Sequence, residues 1–150
     1  HYSGVNNARF NSSSGFTSQA FPPSQGVSIV AKQFGNQHHT YDFAVFAVEG
    51  AALSNEFVGS NDFEIVPVGR GKFLSGQRFY SPRYTYGVIQ TYLCSNQFRT
   101  PGAYFIGFRF NNGAGVQYGW ARLEWGGCPR NYFLLRDYAS GAVGDPAKPG

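Results

Sequence analysis

Eight carboxylates are the whole acidic supply of this chain: Asp42, Glu49, Glu56, Asp62, Glu64, Glu124, Asp137 and Asp145. Glycoside hydrolysis needs two of them facing one cleft, one to protonate the leaving oxygen and one to act as base or nucleophile. A folded sheet could bring Asp42 and Glu124 together, but nothing in their spacing specifies it. Acids this sparse in a strand-rich chain read as surface charges or as partners of arginine. Nucleophilic catalysis finds as little support, because His1 is terminal while His38 and His39 share one loop with no nucleophile-elbow sequence nearby. As metal ligands the two histidines would need Asp42 or another distant carboxylate. Gly59-Ser60-Asn61-Asp62 offers three oxygen-bearing side chains, short of a calcium loop, and reads as a turn. No catalytic residue, metal site or cofactor is expected.

Binding chemistry is better supplied. Tyr80, Tyr84, Tyr86, Gln90 and Tyr92 provide the aromatic faces and amide that a sugar-binding surface uses, and by strand parity Tyr84, Tyr86, Gln90 and Tyr92 share one face. The competing reading of the same tyrosines is cross-strand packing with the hydroxyl in solvent. Cys94 and Cys128, with 33 residues between them, are expected to form a disulfide, which the chain-entropy model values at about 3–4 kcal/mol. Such a bond implies an oxidising compartment. Zinc is not expected, since the histidines lack ligand spacing to either cysteine. The formal charge of +4 comes from nine Arg and three Lys set against the eight acids, with the arginines scattered singly from Arg9 to Arg136. Without a basic stripe, nucleic-acid binding is not expected. Weak attraction to acidic polysaccharide or an anionic surface fits the sign of the charge.

The elements that must position these groups are strands. In Ala103-Tyr104-Phe105-Ile106-Gly107-Phe108-Arg109-Phe110, the residues Tyr104, Ile106, Phe108 and Phe110 alternate with Phe105, Gly107 and Arg109, the two-residue period of a pleated strand. GVQYGWARLEW and NYFLLRDYA continue the pattern, and VSIVAKQF, TYDFAVFAV, FEIVPV and YTYGVIQTYL supply further strands, with Pro67 placing FEIVPV at an edge or terminus. Aromatic residues form 18% of the chain and charged residues only 13%, against about 25% in an ordinary soluble domain. One all-β domain follows, an antiparallel jelly-roll-like β-sandwich of about seven to nine strands spanning residues 26–139. Residues 1–25 read as an extended arm whose Phe10, Phe16 and Phe21 could anchor in a neighbouring subunit or on the chain's own domain. Residues 140–150 read as a surface tail or linker. Asn11-Ser12-Ser13 is a glycosylation sequon at Asn11. No stretch approaches the roughly 20 apolar residues of a membrane span. The absence of methionine and the start at His1 lead us to expect a processed product.

Gly107-Phe108-Arg109-Phe110, Tyr118-Gly119-Trp120-Ala121-Arg122-Leu123 and Asp137-Tyr138-Ala139 resemble, in order and spacing, the extracellular region of bacterial PEP-CTERM sorting-domain proteins. The resemblance is confined to the C-terminal third of the chain. It implies a secreted protein tied to the cell surface or a biofilm matrix, with no catalytic residues. Ser140-Gly141 stand where that family tends to carry an acidic residue. Read physically, the same block is structural: Gly107 and Gly119 suggest close approach by a bulky neighbour such as Trp120 or Phe108, and Arg109 and Arg122 suit stacking on Tyr or pairing with Glu124 or Asp137. The functional expectation is a secreted, non-enzymatic structural or matrix protein that self-associates into a homo-oligomer or filament through its arm, with a carbohydrate-binding module for extracellular polysaccharide as the alternative.

Overall fold

The computed structural model describes residues 2–5, 9–11, 17–21, 27–34, 43–50, 54–82, 87–90, 100–125 and 132–150, with side chains for 56–82, 100–124 and 136–150. Strands dominate, as the alternating pattern requires: β1 (Tyr2–Val5), β2 (Arg9–Asn11), β3 (Thr17–Phe21), β4 (Val27–Phe34), β5 (Phe43–Gly50), β6 (Ser54–Val58), β7 (Phe79–Tyr80), β8 (Gly87–Gln90), β9 (Gly102–Asn111), β10 (Val116–Trp125) and β11 (Tyr132–Ser140). A single 3-10 turn, Leu74–Gly76, interrupts them among the described residues. The protein is all-β and antiparallel. One sheet runs β1-β11-β10-β9-β6-β7, with β2 also on β11, and the other runs β3-β4-β5-β8. The described residues hold eleven strands where the sequence suggested seven to nine, because residues 1–25 contribute three of them and Ser54–Val58 another.

The long hairpin β9–β10 and its partner β11 carry the clearest alternation. Between β9 and β10 the chain turns over Asn112–Gly115, where Gly113 and Gly115 take φ of 102° and 125°. Only glycine adopts such angles without cost. Asn111 Oδ1 fixes the turn by accepting the N–H groups of Gly113 (2.9 Å) and Gly115 (3.3 Å). Opposite residues then share a face: Gln117 with Phe110, Gly119 with Phe108, Ala121 with Ile106 and Leu123 with Tyr104. Phe57, Ile106, Phe108, Phe110, Ala121, Leu123 and Tyr138 are all buried along that face. A register shift after Arg122 leaves Arg136 without an opposite residue on β10, the signature of a β-bulge that kinks and twists the strand. The arm follows this break. β1 pairs with Asp137–Ser140 and β2 with Tyr132–Leu134, one on each side of the bulge.

The opposite face of β9–β10 is covered by the segment 59–78 and by residues 141–149. FEIVPV, which reads as a strand, forms only isolated bridges, Gly59 with Ile65 and Val68 with Phe105. Pro67 has no N–H to donate, so a continuous ladder cannot pass through it. Val68 instead contributes one bond, from its N–H to the Phe105 carbonyl at 2.8 Å. The 140–150 segment also departs from the expected tail. The carbonyls of Pro146, Ala147 and Pro149 accept the N–H groups of Ser75 (3.2 Å), Leu74 (2.8 Å) and Gly71 (2.9 Å). Ala147 is buried with Val58, Val68 and Leu74, while Val66, Phe79, Tyr118 and Trp120 pack around them. A strap of Ala, Pro and Gly carries no periodic signal, yet it closes a small apolar core.

Candidate functional site

On the strap-covered face, β9, β10 and β11 set charged and aromatic side chains in alternating rows. Glu56, Arg109 and Tyr118 share one row, and Phe105, Arg122 and Asp137 another. Both ion pairs are bidentate: Arg109 Nε and Nη2 donate to Glu56 Oε1 (2.8 Å) and Oε2 (3.1 Å), and Arg122 Nε and Nη2 to Asp137 Oδ1 (2.9 Å) and Oδ2 (2.8 Å). The bulge turns Arg136 toward Glu124 at 2.9 Å. The Arg109 guanidinium also lies 4.4 Å over the Phe79 ring, which stands 5.6 Å from Tyr118. Bonding to Glu56 raises the Arg109 pKa above its ordinary value, which outweighs partial burial. These groups are held by one another. Their chemistry is cross-strand fixing of register, since each bidentate fork accepts only one alignment of its two strands.

Arg122 meets Asp137 as its position on the strand suggested. Arg109 does not meet Glu124, which is taken by Arg136; its partner is Glu56, on a strand whose two apolar residues give too weak an alternation to be read. Room at Gly119 is needed by Phe108, whose ring atoms would lie 2.5 and 2.6 Å from an added Cβ. At Gly107 the neighbours are Val58 Cγ2 of β6 (2.7 Å) and, from the covering segment, Leu74 Cδ2 (2.8 Å) and Val68 Cγ2 (3.1 Å), rather than Trp120. Trp120 meets Phe105 edge to face at 5.3 Å.

Of the expected sugar-binding residues, the structure describes Tyr80 and the backbone of Gln90. Tyr80 sits in β7 opposite Phe57, half-buried, while Gln90 ends β8 opposite Ala44 in the other sheet. Tyr84, Tyr86 and Tyr92 lie outside the described residues, as do Cys94, Cys128, Phe16, His1, His38, His39 and Asp42. Phe10 stands opposite Phe133, Phe21 opposite Ile29 and Asn11 opposite Tyr132. The Gly59–Asp62 segment is a turn: Asn61 Oδ1 accepts the N–H groups of Phe63 and Glu64, both at 2.8 Å, and Ser60 Oγ donates to Glu64 Oε1 at 3.1 Å. Among the described residues no three His, Cys, Asp or Glu side chains converge as metal ligands, and no helix is long and apolar enough to cross a membrane.

A second feature had no signal in the sequence. The turn at Gly69–Lys72 and the strap residues Asp145–Gly150 enclose an open groove of about 430 Å³, lined by Arg70, Phe73, Asp145 and Lys148 among others. Phe73 is 53% exposed there. The Lys148 ammonium lies 5.1 Å over the Phe73 ring, and the Arg70 guanidinium 5.2 Å over Phe105. No protein-family model, curated protein or solved structure matches the chain.

Proposed function

We propose that this chain is a secreted, non-enzymatic structural protein of the cell surface or biofilm matrix that assembles by lending its N-terminal strands to a neighbouring copy. One observation carries the reading: β1 and β2, from a single arm, both lie on β11, which has no other partner on that side among the described residues. Without the arm, β11 is an open sheet edge, and such an edge templates pairing with any strand that fits its backbone. A second copy offers the same β1 and β2 in the same registers, so the pairing made within one chain can be made between two at little enthalpic difference. Strands of four and three residues hold few hydrogen bonds each, which keeps release easy. Because lender and acceptor surfaces differ, exchange runs head to tail and builds an open filament unless its rotation closes.

Support for a sandwich comes from the residues buried on the β9–β10 face away from the strap. Phe108, Phe110, Ile106 and Leu123 are at most 1% exposed, and among the described residues the β3-β4-β5-β8 sheet is the element that could cover them. Two stacked sheets of jelly-roll type satisfy both faces at once. Extracellular placement fits the low charge, the two cysteines and the resemblance of the C-terminal third.

Light scattering on sizing columns across a range of concentrations tests assembly. The full chain is expected to form concentration-dependent oligomers that vanish when residues 1–11 are deleted, with the far-ultraviolet spectrum otherwise kept. A full-length chain that stays monomeric at every concentration, or oligomers that survive the deletion, would sink the proposal.

A further inference from the structure

The strand arginines Arg109, Arg122 and Arg136 are each ion-paired with a carboxylate. Arg70 and Lys148 have no such pair among the described residues; each instead rests on an aromatic ring. That difference matters chemically. A carboxylate uses up the donors of the cation it holds, whereas a ring face holds the cation by its quadrupole and leaves donors available to a ligand. The two cations therefore line one groove with donors that no carboxylate takes up among the described residues. Arg70 is further braced by the edge-to-face stack of Phe105 on Trp120, and Lys148 by the strap's backbone bonds to the 71–75 segment.

We propose that this groove binds an acidic polysaccharide whose sugar rings carry carboxylates. Arg70 offers a planar fork matched to a carboxylate, and Lys148 a second point charge. The exposed part of the Phe73 ring presents an apolar plane for the C–H face of a sugar. A volume of about 430 Å³ falls within the range of small-ligand sites, roughly 300–1,000 Å³. Asp145 also lines the groove, and a carboxylate is an acceptor for the hydroxyls that sugars supply in number. The strap itself is shaped for the purpose. Ala147 holds a left-handed φ of 47°, a costly backbone for a residue with a Cβ, and the bond from its N–H to Asp145 Oδ1 at 2.8 Å keeps it there. This site is independent of strand exchange.

Calorimetric titration with a hexamer of galacturonate, at low salt and at protein concentrations below the onset of assembly, tests the inference. The hexamer is expected to bind, and neutral galactose hexamer and single-stranded oligothymidylate to bind much more weakly. Arg70→Gln and Lys148→Gln are each expected to weaken binding roughly three- to fivefold, the double variant roughly tenfold or more, and the distant Arg78→Gln less than about twofold. Phe73→Ser is expected to weaken both charged and neutral sugars by up to about tenfold. All four positions are exposed, and unchanged thermal midpoints report that the variants fold. The same titration on the chain lacking residues 1–11 is expected to give the full-length affinity, so failure of assembly and failure of binding register separately. No binding of the galacturonate hexamer, equal affinity for the neutral hexamer, tighter binding of oligothymidylate, or an unaltered affinity in the double variant would each overturn the proposal.

Discussion

Gly107 and Gly119 show how two residues of one type do different work. At Gly119 the obstacle to a side chain includes the Ala139 carbonyl oxygen, 2.8 Å from an added Cβ, as well as the Phe108 ring; backbone cannot step aside. At Gly107 the obstacles are side-chain methyls of β6 and the covering segment, which move at the cost of repacking. Gly107→Ala is therefore expected to lower the unfolding free energy by about 1–3 kcal/mol, and Gly119→Ala by more, as read from urea melts; the reverse order would show that the two sites are misassigned. Tyr138 gives a pH signature. Burial raises its pKa above the ordinary 10.0, so on going up in pH the unfolded chain gives up this proton before the folded one. Stability contributed by the protonated form is complete below about pH 10 and declines above it. Tyr138→Phe is expected to flatten that decline in urea melts between about pH 9 and 11, and an unchanged slope would show the hydroxyl to be solvated. Of the ion pairs, Arg122–Asp137 was legible because both residues lie on neighbouring strands of obvious period. Glu56–Arg109 was not, since 53 residues separate the partners and only the finished register aligns them.

Strands β4, β9, β10 and β11 could be read from the chain because their alternation is long and their ends are marked by Gly, Pro or Asn. FEIVPV misled for the converse reason: it has the apolar residues of a strand, but Pro67 near its end removes a donor that a continuous ladder would need. The strap was illegible in principle, since Ala, Pro and Gly carry no facial preference and its anchoring is done by carbonyls that every residue has. Its contribution can be measured. Truncation after Gly141 removes the acceptors of the Gly71, Leu74 and Ser75 N–H groups and uncovers the cluster of Val58, Val68 and Leu74. Amide exchange at those three N–H groups is then expected to accelerate at least roughly tenfold, with the β9–β10 ladder left protected. Exchange that stays slow would mean that the covering segment holds itself in place.

Taken whole, the fold places its first strand beside its last, for Tyr2 is registered opposite Ser140 and Val5 opposite Asp137. Tension drawn between Tyr2 and Ser140 enters the β1–β11 seam at one end of it. The seam is thus peeled, one rung after another, and never loaded in parallel. β2 follows as a separate stretch beyond the bulge, and it yields only when the first has come away. Slack is paid out in two small steps at low force while the long hairpin stays intact, so a tethered layer of such chains would give under a passing load and re-zip when it is gone.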